Sequence, residues 1–294
     1  MSFKSSQYYE KIVNSGVLIS GIPRSGTSLI SKLISCTGNF ELNFDPFFLN
    51  TININDNKNP KLTKIMLEQY LIDDFFYDSF SYRKINLNKN ENSYSFNFKK
   101  KKSSDVIFNK KNFYKNYKKK KLLIKIVGIN NKLLLQKYFK IKSILILRNP
   151  FDVIHSIMKR KWFTNNAYKT GQFPLFFEKN NFKFPVWIDD ENRSKWKNYS
   201  YINRISFFVY TELKKILKSN YNVAISFENF IENPTFEINK LKKIYNPKFN
   251  KKFLQLKKKI KKPYRKNYKN MSIDKDLELK IITLYKKLKI KYKL

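Results

Sequence analysis

Apolar residues recur along this chain in two rhythms. Short unbroken runs, Val17 to Ser20, Leu122 to Gly128 and Ser143 to Leu147, have the length and composition of strands buried on both faces, which is how parallel sheets present themselves. Each is followed by a stretch with apolar residues at helical spacing: Leu29 to Ile34, Asn131 to Tyr138 and Val153 to Arg160. Alternation of this kind predicts an α/β fold. Further helices are expected over Leu62 to Phe76, Tyr201 to Leu217 and Ile273 to Leu288. Residues 50–60 have neither period and read as a loop. At 294 residues the chain is long enough for a sizeable core, and one domain over 1–294 is the economical reading. Two irregular segments interrupt it. One is a Lys- and Asn-rich insertion around 83–121; the other is an aromatic-rich segment around 161–197 with Trp162, Trp187, Trp196, Phe173, Phe176 and Phe177.

Two strand ends carry the candidate chemistry. The first apolar run passes into Gly21-Ile-Pro-Arg-Ser-Gly-Thr-Ser28 and then a helix. A glycine-bracketed turn at a helix N-terminus aims several backbone N–H groups at one anion. Its spacing is that of a Walker A loop, except that Thr27 stands where the phosphate-gripping lysine belongs. The loop therefore suits a phosphate-like group but not ATP hydrolysis. The run at Ser143 to Leu147 ends in Arg148-Asn-Pro-Phe-Asp152. Pro150 suits the first turn of a helix, whose apolar face holds Val153, Ile154, Ile157 and Met158, and whose other face holds Asp152, Ser156 and Lys159.

Both segments resemble those of sulfotransferases that use 3′-phosphoadenosine 5′-phosphosulfate (PAPS). Arg24 to Ser28 is similar to that family's 5′-phosphosulfate loop, and Arg148 with Ser156, eight residues apart, is similar to its 3′-phosphate site. Val223 to Pro234 resembles a strand-and-turn of the family, with Phe227 in place of a tyrosine, and Lys125 resembles a lysine found at a strand end in many bacterial and protein-tyrosine members. The resemblance covers roughly residues 13–47 and 121–245. It implies a three-layer, P-loop-like fold, a central parallel sheet flanked by helices. It also implies transfer of a sulfuryl group from PAPS to an acceptor hydroxyl, a carbohydrate or glycan by the leaning of similar enzymes, with no metal.

The resemblance further implies roles. Arg24 would stabilise charge on the bridging oxygen. Ser25, Gly26, Thr27 and Ser28 would hold the 5′-phosphate, and Arg148 and Ser156 the 3′-phosphate. Tyrosyl and many bacterial members place a glutamate base after the first helix; Asp45, in Asp45-Pro-Phe47, is the matching candidate, with Glu41 behind it. The single histidine, His155, neighbours Ser156 and is read as a bystander. The aromatic segment at 161–197 would lie on the acceptor side.

Composition changes this picture in two respects. The formal charge of +39 would draw nucleic acid, an anionic membrane surface or acidic glycans. The lysines, however, are spread along the chain, and the excess of Lys, Asn, Ile, Phe and Tyr matches an AT-rich coding bias. No specific nucleic acid is expected; peripheral association with an anionic membrane is allowed. One cysteine, Cys36, leaves no intramolecular disulfide. With no apolar run of about 18 residues and no signal-like N-terminus, the cytoplasm is the expected compartment. Three other function classes stay open at this point. They are a P-loop nucleotide-binding protein or kinase-like enzyme, a basic nucleic-acid-binding protein, and a sulfotransferase-like chain that has lost turnover.

Overall fold

The computed structural model describes residues 10–44, 59–81, 121–164, 176–185, 187–258, 260 and 271–294. They fall into two compact units, one from Met1–Leu147 with Ser219–Pro263 and one from Arg148–Lys218 with Tyr264–Leu294.

The first unit is a five-stranded sheet between two layers of helices. Its elements are β1 (Val17–Gly21), α1 (Thr27–Ser35), β2 (Phe40–Phe44), α2 (Pro60–Ser81), β3 (Lys121–Lys125), α3 (Ile129–Tyr138), β4 (Lys142–Leu147) and, beyond the second unit, β7 (Val223–Ser226), α7 (Phe227–Glu232), α8 (Pro234–Asn239) and α9 (Lys251–Lys257). The strand order is β2-β3-β1-β4-β7, and every pairing is parallel. The α/β expectation and its flanking helices are met. Every residue of β1 is buried, which is why these strands read as continuous apolar runs rather than alternating ones.

Alternation reappears in which layer each residue meets. Val17, Ile19, Leu123, Ile144 and Ile225 pack with Ile30, Leu33 and Ile34 of α1 and with Phe230, Ile238 and Phe253. On the opposite face Leu18, Leu122 and Ile124 pack with Leu67 and Leu71 of α2 and with Leu134 and Leu135 of α3. Chain order and strand order diverge around β1: β2 lies to one side of it beyond β3, and β4 lies on the other side. Such a switch opens a crevice at the carboxyl ends of the strands.

Several elements differ from expectation. Phe40–Phe44, for which no strand was expected, forms an edge strand; its apolar-polar alternation is the pattern of a strand buried on one face. Val223–Pro234 is a four-residue strand followed by a helix, because the Ser226 hydroxyl accepts the Asn229 N–H at 3.3 Å and caps α7. The buried Glu237 carboxylate accepts the Ser226 N–H at 3.2 Å and the Lys240 ammonium at 2.6 Å, tying β7 to α8. Pro60–Ser81 is longer at both ends than the expected helix. The insertion around 83–121 lies outside the described residues apart from Lys121, which opens β3.

The second unit holds α4 (Pro150–Lys159), the antiparallel pair β5 (Phe176–Lys179) and β6 (Phe182–Pro185), α5 (Asp190–Asn198), α6 (Tyr201–Lys218) and α10 (Lys275–Tyr292). Asn180 and Asn181 join β5 to β6 with φ of 52° and 56°, the two left-handed residues of a tight hairpin. In the described part of 161–197, Phe163, Trp187 and Trp196 pack edge-on with centroids 5.2–6.2 Å apart, and Trp187 and Phe163 also meet Phe208 of α6. Trp196 is fully buried. These three rings and Phe208 pack together in the unit's core, whereas Trp162, Phe176 and Phe177 of the same segment are only partly buried.

Candidate active site

The loop between β1 and α1 is shaped by residues that admit few substitutes. A side chain on Gly21 would place its Cβ 2.6 Å from the Ile146 carbonyl oxygen of β4 and 2.7 Å from the Ser25 hydroxyl. Gly26 holds φ +91°, and a Cβ there would lie 2.3 Å from two ring carbons of Phe227. Between them Arg24 holds φ 74°, a left-handed conformation that costs a non-glycine residue roughly 1–2 kcal/mol. The Ser25 N–H donates to the Ile22 carbonyl at 3.0 Å.

This loop delivers the chain to an open helix end. No side chain caps α1, and its first turn carries no acidic residue. The N–H groups of a helix's first turn lack intrahelical acceptors and sit at the positive end of its dipole. Ser25 is 1% exposed, and its hydroxyl oxygen has no hydrogen-bond partner. A buried hydroxyl without a partner costs on the order of 1–3 kcal/mol. An anion seated at the N-terminus of α1 supplies what these donors lack. The residues present therefore fit a phosphate or phosphosulfate group.

The neighbouring strand ends complete the edge. Lys125, the last residue of β3, pairs in register with Ile19 of β1 and Phe44 of β2 and is 2% exposed. The chain leaving β3 follows β1, with the Ile126 N–H donating to the Ile19 carbonyl at 2.9 Å. Register also places Glu41, one of the two carboxylates expected as base. It pairs with Leu122, one residue before the Leu123 that pairs with Val17. That level is five residues below Gly21, roughly 16 Å at the usual rise per strand residue. Glu41 thus sits at the opposite end of the sheet from the loop. Asp45 lies outside the described residues; Phe44, just before it, is at the loop end.

Within the second unit, Arg148 follows directly on β4 and opens the segment leading into α4. Asn149 caps α4, its side-chain oxygen accepting the Phe151 N–H at 2.9 Å, with Pro150 at the first helical position. Arg148 Nε lies 3.9 Å from Asp152 Oδ2. Burial raises the Asp152 carboxyl above the ordinary aspartate range, while Arg148 and His155 pull it back down. Ser156 and His155 are half-buried one turn beyond Asp152, whereas Val153, Ile154 and Ile157 are buried as the sequence period required.

A family model described as the sulfotransferase domain matches residues 14–287. The chain belongs to the sulfotransferase family. It is accordingly an enzyme of sulfuryl transfer, and the family selects this reading over a P-loop kinase-like enzyme or a basic nucleic-acid-binding protein. Among solved structures, a sulfotransferase domain from the curacin biosynthetic pathway is similar at 11% identity. That match has a TM-score of 0.42 and covers 86% of this chain and 78% of that one. No curated protein matches the chain.

A buried lysine, Lys132, and a half-buried tyrosine, Tyr221, carry no signal in the sequence. Lys132, 1% exposed, donates to the Asn220 carbonyl at 2.9 Å and lies 4.5 Å from the centre of the Tyr221 ring. The Tyr221 hydroxyl is 3.1 Å from the Ser20 hydroxyl, one residue before the loop. Lysine in an amphipathic helix ordinarily signals solvent, so only the packed fold shows it buried.

Proposed function

We propose that this sulfotransferase carries the sulfuryl group from PAPS to a hydroxyl of a carbohydrate or glycan acceptor. The observation that carries the donor is the buried, unpartnered Ser25 hydroxyl beside the uncapped N-terminus of α1. PAPS supplies a sulfuryl group whose bond to the phosphate oxygen breaks as the acceptor oxygen bonds to sulfur, the acceptor's proton leaving to a base. Ser25, Gly26, Thr27 and Ser28 hold the 5′-phosphate through N–H and hydroxyl donors. Arg24 meets charge developing on the bridging oxygen. Arg148 and Ser156 take the 3′-phosphate, and Asp45 takes the acceptor's proton. The carbohydrate acceptor rests on the family resemblance alone.

Calorimetric titration with adenosine 3′,5′-bisphosphate, against ATP and AMP, tests the donor assignment. Stoichiometric binding of the bisphosphate and little of the others is expected; equal weak binding of all three would mean that charge alone attracts them. In the same assay Arg148→Ala weakens the bisphosphate by roughly 50-fold, since a charged donor to phosphate is worth about 2–3 kcal/mol. Unchanged affinity removes Arg148 from the site. Asp45→Asn folds normally and lowers transfer about 10²-fold or more at saturating PAPS. Full activity would make Asp45 a turn residue before Pro46.

A further inference from the structure

Helix α10 buries one side, with Leu277, Ile281 and Leu288 inside the second unit. At about 100° per residue the opposite side is centred on Leu279 and Ile290. These are 64% and 78% exposed, the two most exposed large hydrophobic side chains among the described residues. They are eleven residues apart, about three turns, and so project from nearly one line on the helix. Lys286 falls on that line between them, and Lys287 and Lys289 flank it, all exposed. Two other lysines of the helix are engaged: Lys280 pairs with Asp276, and Lys291 donates to the Leu217 carbonyl at 2.8 Å. Beyond Glu278 the helix has no acidic residue.

We infer that the outer face of α10 docks on an anionic lipid surface. Charge explains attraction to any polyanion, so the occupant is chosen by the two aliphatic side chains. A nucleic acid or a sulfated glycan offers a hydrated anionic backbone in which exposed Leu279 and Ile290 gain little. A bilayer offers an acyl boundary that takes both while its anionic headgroups meet the lysines around them. A second copy of this face would bring lysine against lysine. No described helix is long and apolar enough to cross a membrane, so the contact proposed is attachment to the surface.

The test uses the full chain with an environment-sensitive fluorophore on an introduced thiol. Cys36, the single native cysteine, is buried and directs the label elsewhere. Leu279→Cys and Ile290→Cys report on the face, and Phe236→Cys, 59% exposed on the first unit, reports on the rest of the surface. With phosphatidylcholine vesicles containing phosphatidylglycerol, the probes at 279 and 290 shift to the blue and the probe at 236 does not. Vesicles of phosphatidylcholine alone, or inorganic phosphate, leave all three unchanged. The double variant Leu279→Ser with Ile290→Ser binds the anionic vesicles roughly tenfold more weakly, from lost apolar burial, and binds heparin as the parent does. Shifts at 279 and 290 no larger than at 236, or vesicle binding unchanged in the double variant, would overturn the assignment.

Discussion

Arg24→Ala lowers the rate of sulfuryl transfer by about 10²–10³-fold while leaving most of the affinity for adenosine 3′,5′-bisphosphate, the size expected when a preorganised donor to developing charge is removed. The backbone supports a role for the side chain. Arg24 holds φ 74° in a loop bracketed by Gly21 and Gly26, and a third glycine there would adopt the same conformation at no steric cost. If loop shape were all that mattered, arginine would be a liability of roughly 1–2 kcal/mol. Arg24→Gly therefore separates the two contributions. Relief of the left-handed conformation is partly offset by the greater freedom of glycine in the unfolded chain, so stability stays level or rises by about 1 kcal/mol, and turnover is lost as in Arg24→Ala. Thermal unfolding and single-turnover transfer, measured on both variants, decide it. Equal loss of bisphosphate affinity and rate would make Arg24 a ground-state contact. An active Arg24→Gly would leave the guanidinium without a role in the reaction.

Why the sheet was readable and its edges were not follows from how each is stabilised. β1, β3 and β4 are buried on both faces, so their sequences had to be continuous apolar runs, and the helices between them had to carry one apolar stripe. β2 escapes that rule because it is an edge: Phe40-Glu-Leu-Asn-Phe44 alternates apolar and polar over only five residues instead of forming an apolar run, and it pairs on one side with β3. The hairpin of the second unit did carry a signal, Asn180-Asn181 between short aromatic stretches, whose left-handed pair is a favoured two-residue turn. The cap on α7 was likewise legible in Ser226, three residues before Asn229.

The site divides in the same way. Glycine positions, Thr27 and the spacing of Arg148 to Ser156 are local, and they pointed to the sulfotransferase family that the match over residues 14–287 shows. Strand register is not local. Glu41 and Asp45 are four residues apart and chemically interchangeable on paper, yet pairing with β3 sets Glu41 at the far end of the sheet. Burial of Lys132 beneath Tyr221 is a property of packed layers and leaves no mark on the helical period. Cys36 is buried in the core; its thiol donates to the Lys32 carbonyl at 3.2 Å, and burial pushes its ionisation up, away from a reactive thiolate.

Gly26→Ala is expected to damage fold and site together. Its Cβ would stand 2.3 Å from Cδ2 and Cε2 of Phe227. That ring is 8% exposed and belongs to the core formed by β1, β4, β7 and α1, so it has little room to swing aside. The left-handed backbone at φ +91° adds roughly 1–2 kcal/mol for any L side chain, and the clash adds a further 1–3 kcal/mol typical of overpacking. Gly26 is also the residue from which α1 starts, its carbonyl accepting the Ile30 N–H at 3.1 Å. A shift there rotates the donors of Thr27 and Ser28, so bisphosphate affinity falls with stability. The two causes are separable by a double-mutant cycle. Adding Phe227→Ala to Gly26→Ala removes the clash and returns about 1 kcal/mol or more relative to the sum of the single variants. The backbone cost remains, and binding stays impaired. Strict additivity would mean that Phe227 already moves freely. A Gly26→Ala protein with parental stability and affinity would show that the left-handed turn is not what holds the anion.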